Sequence, residues 1–246
     1  MALPIGLQLY TVRDELAKDV DAALGQVASM GYQYVELAGL HGLTAQRFRA
    51  LLDKHGLTAI AAHEGGDDLL NNLPAVVERA DVLGYRHVIF PYLDETQRHG
   101  YGELAGRIAG TAKKLGDHGL TLCYHNHDFE WEADADGKRG IDHLFVGTEL
   151  NSELDVYWVA KAGDDPLEWM HKLSGRLPIL HMKDMADTAD KGFAEVGTGT
   201  IDFGAILDAA GACGVKYLVV EQDSNWKISP MESARVGLEN LGGMLV

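Results

Sequence analysis

Four short segments of the sequence each end an apolar, strand-like run with side chains that can bind a metal ion. The segments cover residues 123–127, 153–155, 180–183 and 220–221, and they carry His125, His127, Asp155, His181 and Glu221. Imidazole and carboxylate groups together suit Mn²⁺, Zn²⁺, Fe²⁺, Co²⁺ or Mg²⁺. In a barrel of parallel strands the carboxyl ends meet at one rim, so these groups would converge there. The pattern predicts a metal-dependent enzyme.

The densest of these segments reads His-Asn-His-Asp-Phe-Glu over residues 125–130. His125 and His127 point to the same face if the strand continues that far, so one could bind the metal while the other contacts substrate. A lone histidine here would more often be structural. Glu221 is costly to bury unless it is paired or bound to a cation, and a solvated strand end is the alternative.

The elements that must position these residues recur along the whole chain. Eight candidate strands begin near Ile5, Tyr34, Leu57, His87, Leu120, Ser152, Pro178 and Tyr217, the sixth running over residues 152–158. Helix patterns cover residues 20–30, 44–55, 72–83, 103–118, 166–173, 203–213 and 230–241, with a weaker one at 141–146. The alternation predicts a parallel α/β fold, and eight strands predict a single (β/α)8 TIM barrel over residues 1–246. An open doubly wound sheet is the alternative.

Composition and charge narrow the classes of function. The formal net charge is −16, from 21 basic and 37 acidic residues, and no basic run interrupts it. Such a surface repels phosphate backbones, which counts against a nucleic-acid enzyme. The two cysteines are no disulfide framework and are expected to be reduced thiols. With no signal-peptide pattern and no apolar run of about 20 residues, we expect a soluble, cytoplasmic protein with no membrane partner.

Several motifs together carry a family resemblance over nearly the whole chain. They lie at residues 6–13, 34–37, 124–130, 154–155, 181–184, 196–203 and 220–221. With these motifs the chain resembles the xylose isomerase-like TIM barrel superfamily, also described as sugar phosphate isomerases/epimerases. Relatives include tagatose and psicose epimerases, inosose dehydratase and endonuclease IV. The motifs are specific for the superfamily and not for one substrate.

The resemblance implies a metal-ligand set. In the epimerases of the family, Glu, Asp, His and Glu from strands five to eight hold the metal, and the last three match Asp155, His181 and Glu221. His125 stands where many relatives have the first glutamate, so the implied set is His125, Asp155, His181 and Glu221. The implied cofactor is one divalent ion, with Mn²⁺ favoured and Zn²⁺, Co²⁺, Fe²⁺ or Mg²⁺ as alternatives.

The histidine at position 125 bears on the mechanism. In the epimerases two glutamates flank the substrate carbon, whereas a metal-bound imidazole is a poor base. Glu221 remains available as the base, and its counterpart is missing unless His127, Glu36 or Glu64 substitutes. Lys183 either donates to a substrate oxygen or forms a salt bridge with Asp184 or Glu221. The candidate catalytic residues are Glu221, Lys183 and His127.

Five further residues are candidates for substrate contact: Gln8, Tyr10, Glu36, His63 and Trp158. Gln8 and Tyr10 follow the first strand, and His63 matches a substrate-contacting position in relatives. Glu36 could instead form a structural ion pair. Trp158, like Trp131 and Trp226, either stacks on a sugar face or simply packs.

These residues leave more than one function open. The first hypothesis is a metal-dependent sugar isomerase or epimerase that enolises a carbon next to a carbonyl. The second is a lyase that dehydrates an inosose or cleaves a 3-keto-glycoside. A non-catalytic sugar-binding barrel and an endonuclease IV-like phosphodiesterase are minor alternatives. The expected partner is a small sugar or keto-sugar, and relatives suggest a homo-oligomer by analogy.

Overall fold

The computed structural model describes residues 3–134, 137–224 and 226–245, and in this part of the chain eight parallel strands close into a barrel. The barrel strands are β1 (Ile5–Gln8), β2 (Tyr34–Ala38), β3 (Thr58–His63), β4 (His87–Phe90), β5 (Thr121–His125), β6 (Asn151–Asp155), β7 (Ile179–Met182) and β10 (Tyr217–Val220). Neighbours follow the order of the chain, and β10 closes the barrel against β1. The predicted TIM barrel is confirmed, and each predicted strand start lies within one residue of the observed one.

Helices connect the strands around the outside. They are α1 (Arg13–Lys18), α2 (Val20–Ser29), α3 (Ala45–His55), α4 (Gly66–Asn71), α5 (Leu73–Leu83), α6 (Tyr101–Gly116), α7 (Gly140–Phe145), α8 (Val156–Ala162), α9 (Pro166–Lys172), α10 (Phe203–Cys213) and α11 (Pro230–Met244). All eight predicted helices are present, and α1, α4 and α8 were not predicted. Among the described residues, no helix combines the length and apolarity that crossing a membrane requires.

The end of β6 differs from the expectation of a strand over residues 152–158. The strand ends at Asp155, whose carboxylate accepts a hydrogen bond from the backbone N–H of Trp158 at 3.1 Å. An aspartate in this position caps a helix by satisfying a free N–H of its first turn, so Val156 begins α8. The β-branched and aromatic residues after Asp155 have a high strand propensity, but the Asp155 side chain caps a helix at this point.

A second unpredicted element follows β7. Strands β8 (Asp184–Met185) and β9 (Phe193–Ala194) form a two-stranded antiparallel sheet. The Asp184 carboxylate accepts hydrogen bonds from the backbone N–H groups of Gly197, Gly199 and Ile201. This single side chain therefore ties the loop after β9 to the residue next to Lys183.

The interior of the barrel changes from apolar to polar along the strands. A small apolar cluster separate from the main core consists of Ile60, Ala61, Ile89, Cys123, Ile179 and Val219. Residues two apart on a strand point to the same face, so the polar residues two positions further on lie above this cluster. These pairs are Cys123 and His125, Ile179 and His181, and Val219 and Glu221. The strand period thus delivers the predicted ligands to one end of the barrel.

Candidate metal centre

Four side chains meet at the carboxyl-terminal rim of the barrel, and we call them the rim set: His125, Asp155, His181 and Glu221. Each offers one ligand atom, and these atoms all lie within 4.8 Å of one another. All four residues are buried. They come from the ends of four consecutive barrel strands, so the convergence expected from the sequence is present in the structure.

The geometry of the rim set fits a divalent cation. His125 Nε2 lies 3.2 Å from Asp155 Oδ2, and His181 Nδ1 lies 3.0 Å from Glu221 Oε2. The last two atoms are buried, and the described polar atoms within 3.0 Å of them are each other and the Lys183 ammonium. Two imidazoles and two carboxylates are a donor set that zinc, manganese and iron accept. A cation bound between the four ligand atoms would coordinate His181 Nδ1 and Glu221 Oε2 together.

Lys183 is buried against the same oxygens. Its Nζ lies 2.8 Å from Glu221 Oε2 and 3.1 Å from Asp155 Oδ2. It also donates a hydrogen bond of 3.0 Å to Asp223 Oδ2. Of the two interpretations of Lys183 from the sequence, the structure shows the salt bridge to Glu221. The hydrogen bonds of Asp184 go elsewhere, to backbone N–H groups.

These contacts shift the pKa values of the ionisable groups. Burial works against the charge of Lys183, but Asp155, Asp223 and Glu221 raise its pKa well above the usual value. Burial likewise opposes the charge of Glu221, yet Lys183 and His181 hold its pKa well below the usual range. Opposite charges at hydrogen-bond distance outweigh desolvation here. Both groups are therefore charged at neutral pH.

A second cluster lies deeper in the barrel, and we call it the inner set: Glu36, His63, Glu153 and His181. Glu36 Oε1 lies 2.8 Å from His63 Nε2 and 2.9 Å from His181 Nε2. Glu153 Oε1 lies 3.0 Å from each of the same two nitrogens. The Gln8 amide donates a hydrogen bond to Glu36. The two predicted substrate-contact residues Gln8 and Glu36 are thus fully buried and in contact with each other.

His181 belongs to both sets through different ring nitrogens. Its Nδ1 faces Glu221 in the rim set, and its Nε2 faces Glu36 and Glu153 in the inner set. Metal-binding histidines commonly donate the other ring N–H to a carboxylate, which fixes their tautomer and orientation. The inner carboxylates are placed to do this for His181.

A cavity of about 420 Å³ opens above the rim set. Its lining residues are Tyr10, His63, Pro91, Tyr92, His125, His127, Lys183, Glu221 and Asp223. Of the predicted substrate-contact residues, Tyr10 and His63 line this cavity. Trp158 is not among its lining residues, but its ring lies 5.3 Å from that of His127 and 5.6 Å from Lys183 Nζ.

His127 occupies an aromatic corner of the cavity. Its ring stacks on Phe129 at 5.2 Å and meets Tyr92 edge-on at 5.2 Å. Its Nδ1 is buried and makes no hydrogen bond to the described residues. Burial lowers the pKa of His127 well below its usual value, and the nearby His125 adds to this. The imidazole is therefore neutral at pH 7.

The structure also places Glu64, which the sequence left as a substitute base. Its carboxylate binds Arg79 and accepts a hydrogen bond of 2.6 Å from the Tyr85 hydroxyl. It is absent from the lining of the cavity described above. Trp131 donates its indole N–H to Asp164 at 2.7 Å, which is a packing role.

The sequence offered signals for residues to which no role was assigned. Glu153 lies two positions before Asp155 on β6, so strand periodicity alone puts both on the interior face. Asp223 lies two positions after Glu221 and contacts Lys183 in the same way. Tyr92 carries no such signal, because it lies in a loop after β4 and reaches the cavity only through the fold.

Comparisons with known proteins agree with this architecture. The family profile described as xylose isomerase-like TIM barrel matches residues 24–242. Among curated proteins, none matches the sequence significantly.

Among solved structures, a sugar phosphate isomerase/epimerase from Parabacteroides distasonis superposes with a TM-score of 0.84 at 23% identity, covering 99% of this chain and 100% of that one. The IolI protein with a bound zinc atom has a TM-score of 0.74 at 15% identity, with coverages of 99% and 98%. A probable 3-DHS dehydratase from Bacillus anthracis has a TM-score of 0.70 at 12% identity, with coverages of 98% and 99%. At these identities the likeness shows the fold alone.

Proposed function

The chain belongs to the xylose isomerase-like TIM barrel family, and from that premise we propose that it is a divalent-metal-dependent sugar isomerase or epimerase. The reaction proposed is enolisation of a carbon next to a carbonyl. The observation that carries this proposal is the convergence of the four rim-set ligands beneath an open cavity. The Parabacteroides neighbour is described as an enzyme of this class.

The rim set would hold the ion through His125, Asp155, His181 and Glu221. When bound, a divalent ion acts as a Lewis acid toward the oxygens of a sugar carbonyl and its neighbouring hydroxyl. Nitrogen and oxygen donors suit Mn²⁺, Zn²⁺, Co²⁺, Fe²⁺ and Mg²⁺. Among these ions we favour Mn²⁺. The solved IolI neighbour binds zinc.

Three side chains of the chain itself divide the remaining tasks. Glu221 is ionised at neutral pH and lines the cavity, so we assign it the base that removes the proton. Lys183 is charged and can donate a hydrogen bond to a substrate oxygen that takes the place of a carboxylate. His127 is neutral and partly buried at the wall of the cavity, and we assign it the transfer of a proton between substrate atoms.

The cavity favours an unphosphorylated substrate. Lys183 is the only lysine or arginine among the lining residues within the described chain, and three carboxylates already surround it. A phosphate group therefore lacks a free cation in this cavity. Exposed Tyr10 and Tyr92 flank the opening, and such rings can stack on the face of a sugar. We propose a sugar or keto-sugar without phosphate as the substrate, acting in the cytoplasm.

A lyase is the second candidate, and one observation favours it. Among the described residues, the two carboxylates that line the cavity are Glu221 and Asp223, which follow the same strand and both contact the Lys183 ammonium, so we place them on one side of the substrate. Inversion between two carboxylates needs one on each face of the substrate carbon, whereas elimination needs one base and an acid for the leaving group. A dehydratase is among the neighbours of this fold.

The experiment starts with removal of metal by chelation and reconstitution with Mn²⁺, Co²⁺ or Zn²⁺. A panel of ketoses, inososes and 3-keto-glycosides is then turned over in D₂O and followed by NMR. Isomerisation places deuterium next to the carbonyl, and elimination releases water or an aglycone. Glu221→Gln should abolish both, while Glu149→Gln, an exposed residue remote from the site, serves as the matched control. Turnover that survives exhaustive chelation would refute the proposal.

A further inference from the structure

The inner set brings four ligand atoms, from three buried residues and the partly buried His63, to a second common point. We propose that Glu36, His63, Glu153 and His181 form a second site for a divalent cation. The enzyme function proposed above makes no use of such an ion. The inference goes beyond that function and stands on separate residues, except for the shared His181.

The contacts within the inner set outnumber the ring N–H groups that can make them. Four nitrogen–oxygen pairs lie 2.8 to 3.0 Å apart, but two Nε2 atoms carry at most two hydrogens. His63 to Glu153 and His181 to Glu36 account for two of the contacts. A four-coordinate ion with bonds of about 2.0–2.2 Å separates its ligand atoms by about 3.4 Å. The set therefore accepts an ion after each pair opens by about 0.5 Å.

The remaining oxygens of the inner carboxylates also lack partners. Glu36 and Glu153 are fully buried, and the Oε2 atom of each has no hydrogen bond to the described residues. Buried carboxylates are costly unless they are paired or bound to a cation. Both carboxylates contact His63 and His181 through Oε1, and a divalent ion bound there would keep both charges neutralised and could take either free Oε2 as a further ligand.

An ion can reach this site from the cavity. The His63 side chain is 14% exposed and lines the cavity mouth, while its Nε2 belongs to the inner set. The Gln8 amide donates to Glu36 from the neighbouring strand, which is the kind of support that orients a ligating carboxylate. An entry path and a supporting hydrogen bond are two requirements of a working metal site.

The shared His181 makes the two sites compete. A neutral imidazole has one free ring lone pair, on either Nδ1 or Nε2. His181 can therefore ligate a rim ion through Nδ1 or an inner ion through Nε2, but not both at once. Weakening the rim set should direct His181, and the ion, to the inner set.

The test uses crystals of the full chain, stripped with chelator and loaded with Zn²⁺. Anomalous difference maps at the zinc edge are compared for the wild type, Asp155→Asn and the double variant Asp155→Asn/Glu153→Gln. Asparagine also caps helices, so α8 should keep its start. We expect Asp155→Asn to show a peak bound by the inner set. The double variant should lose this peak at the inner set.

Folding is checked by circular dichroism and thermal melting, and Glu221→Gln replaces Asp155→Asn if that variant does not fold. A folded rim variant with no anomalous peak at the inner set would overturn the proposal, because the four groups would then be held by hydrogen bonds alone. The readout is the position of the ion and not turnover. Failure of the proposed sugar chemistry would leave this result unaffected, and the reverse also holds.

Discussion

The Lys183 ammonium lies 2.8 Å from Glu221 Oε2, the oxygen that also faces His181 Nδ1 at 3.0 Å. The same ammonium is 3.1 Å from Asp155 Oδ2. Both oxygens belong to the proposed rim ligands. The Lys183 ammonium therefore already contacts two of the oxygens that a divalent ion would need as ligands.

Lys183→Met should bind metal more tightly than the wild type. Removing the ammonium frees two carboxylate oxygens, so we expect the Kd for Mn²⁺, measured by calorimetry, to fall at least about tenfold, or 1.4 kcal/mol. The metal-free variant should be less stable by about 3–5 kcal/mol, because its buried carboxylates lose their partner. Lys113→Met, at an exposed position on α6, should change neither quantity. Unchanged metal affinity in a folded Lys183→Met would show that the lysine and the ion do not share oxygens.

His127→Phe should reduce turnover by at least about a hundredfold, which is the usual contribution of a proton-transferring side chain. A phenyl ring fits the corner formed by Phe129, Tyr92 and Trp158, so folding should be retained while the nitrogens are lost. His118→Phe on the outer surface is the matched control. Steady-state kinetics on the identified substrate provide the measurement. Wild-type kcat in His127→Phe would remove this residue from the mechanism.

Glu130 should make the stability depend on pH. Burial raises its pKa to about 7 although the Tyr124 hydroxyl and the His127 N–H donate to it. Because the folded-state pKa is raised, the protonated Glu130 carboxyl stabilises the fold fully below the unfolded-state pKa of 4.5. This contribution is lost as the pH rises from there through about 7. Above that pH the loss amounts to about 3 kcal/mol.

Glu130→Gln should remove this dependence, because a neutral amide can still pair with both partners. Thermal melting at pH 5 and pH 8 measures most of the effect, because the loss takes place between the unfolded-state and folded-state pKa values. The wild type should lose stability between these values relative to the variant, and parallel melting curves at both pH values would contradict the assignment.

Gly199→Ala should disturb the loop that is tied to Asp184. A Cβ at this position would collide with the Met185 carbonyl oxygen and the Asp184 carboxylate, and both belong to the segment that follows Lys183. We expect destabilisation of about 1–3 kcal/mol in chemical denaturation. Gly110→Ala on α6, where no described atom outside the helix's own backbone and the adjacent residues lies within 4 Å of an added Cβ, should instead be neutral or stabilising by about 0.5–1 kcal/mol. Equal effects of the two substitutions would exclude the steric explanation.

The sequence alone predicted the barrel and the residues that end its strands. Runs of apolar residues separated by helix-period stretches specify parallel strands, and the start of each strand was predicted to within one residue. Because carboxyl ends of barrel strands share a rim, the sequence pattern and the family resemblance together predicted the meeting of His125, Asp155, His181 and Glu221. Helix α8 was missed because the aromatic residues after Asp155 resemble a strand, whereas the side chain of Asp155 caps a helix.

Only the tertiary structure decided how these groups are paired. Strand periodicity puts Glu153 and Asp155 on one face, but it does not say that Glu153 meets His63 from β3 while Asp155 meets Lys183. Those contacts depend on the stagger between strands and on which ring nitrogen of His181 faces which layer. The burial of Gln8 and Glu36 beneath the cavity has the same origin. Closure of the barrel brings residues of non-adjacent strands into contact across its interior. The spacing of residues along one strand does not predict which of these residues meet.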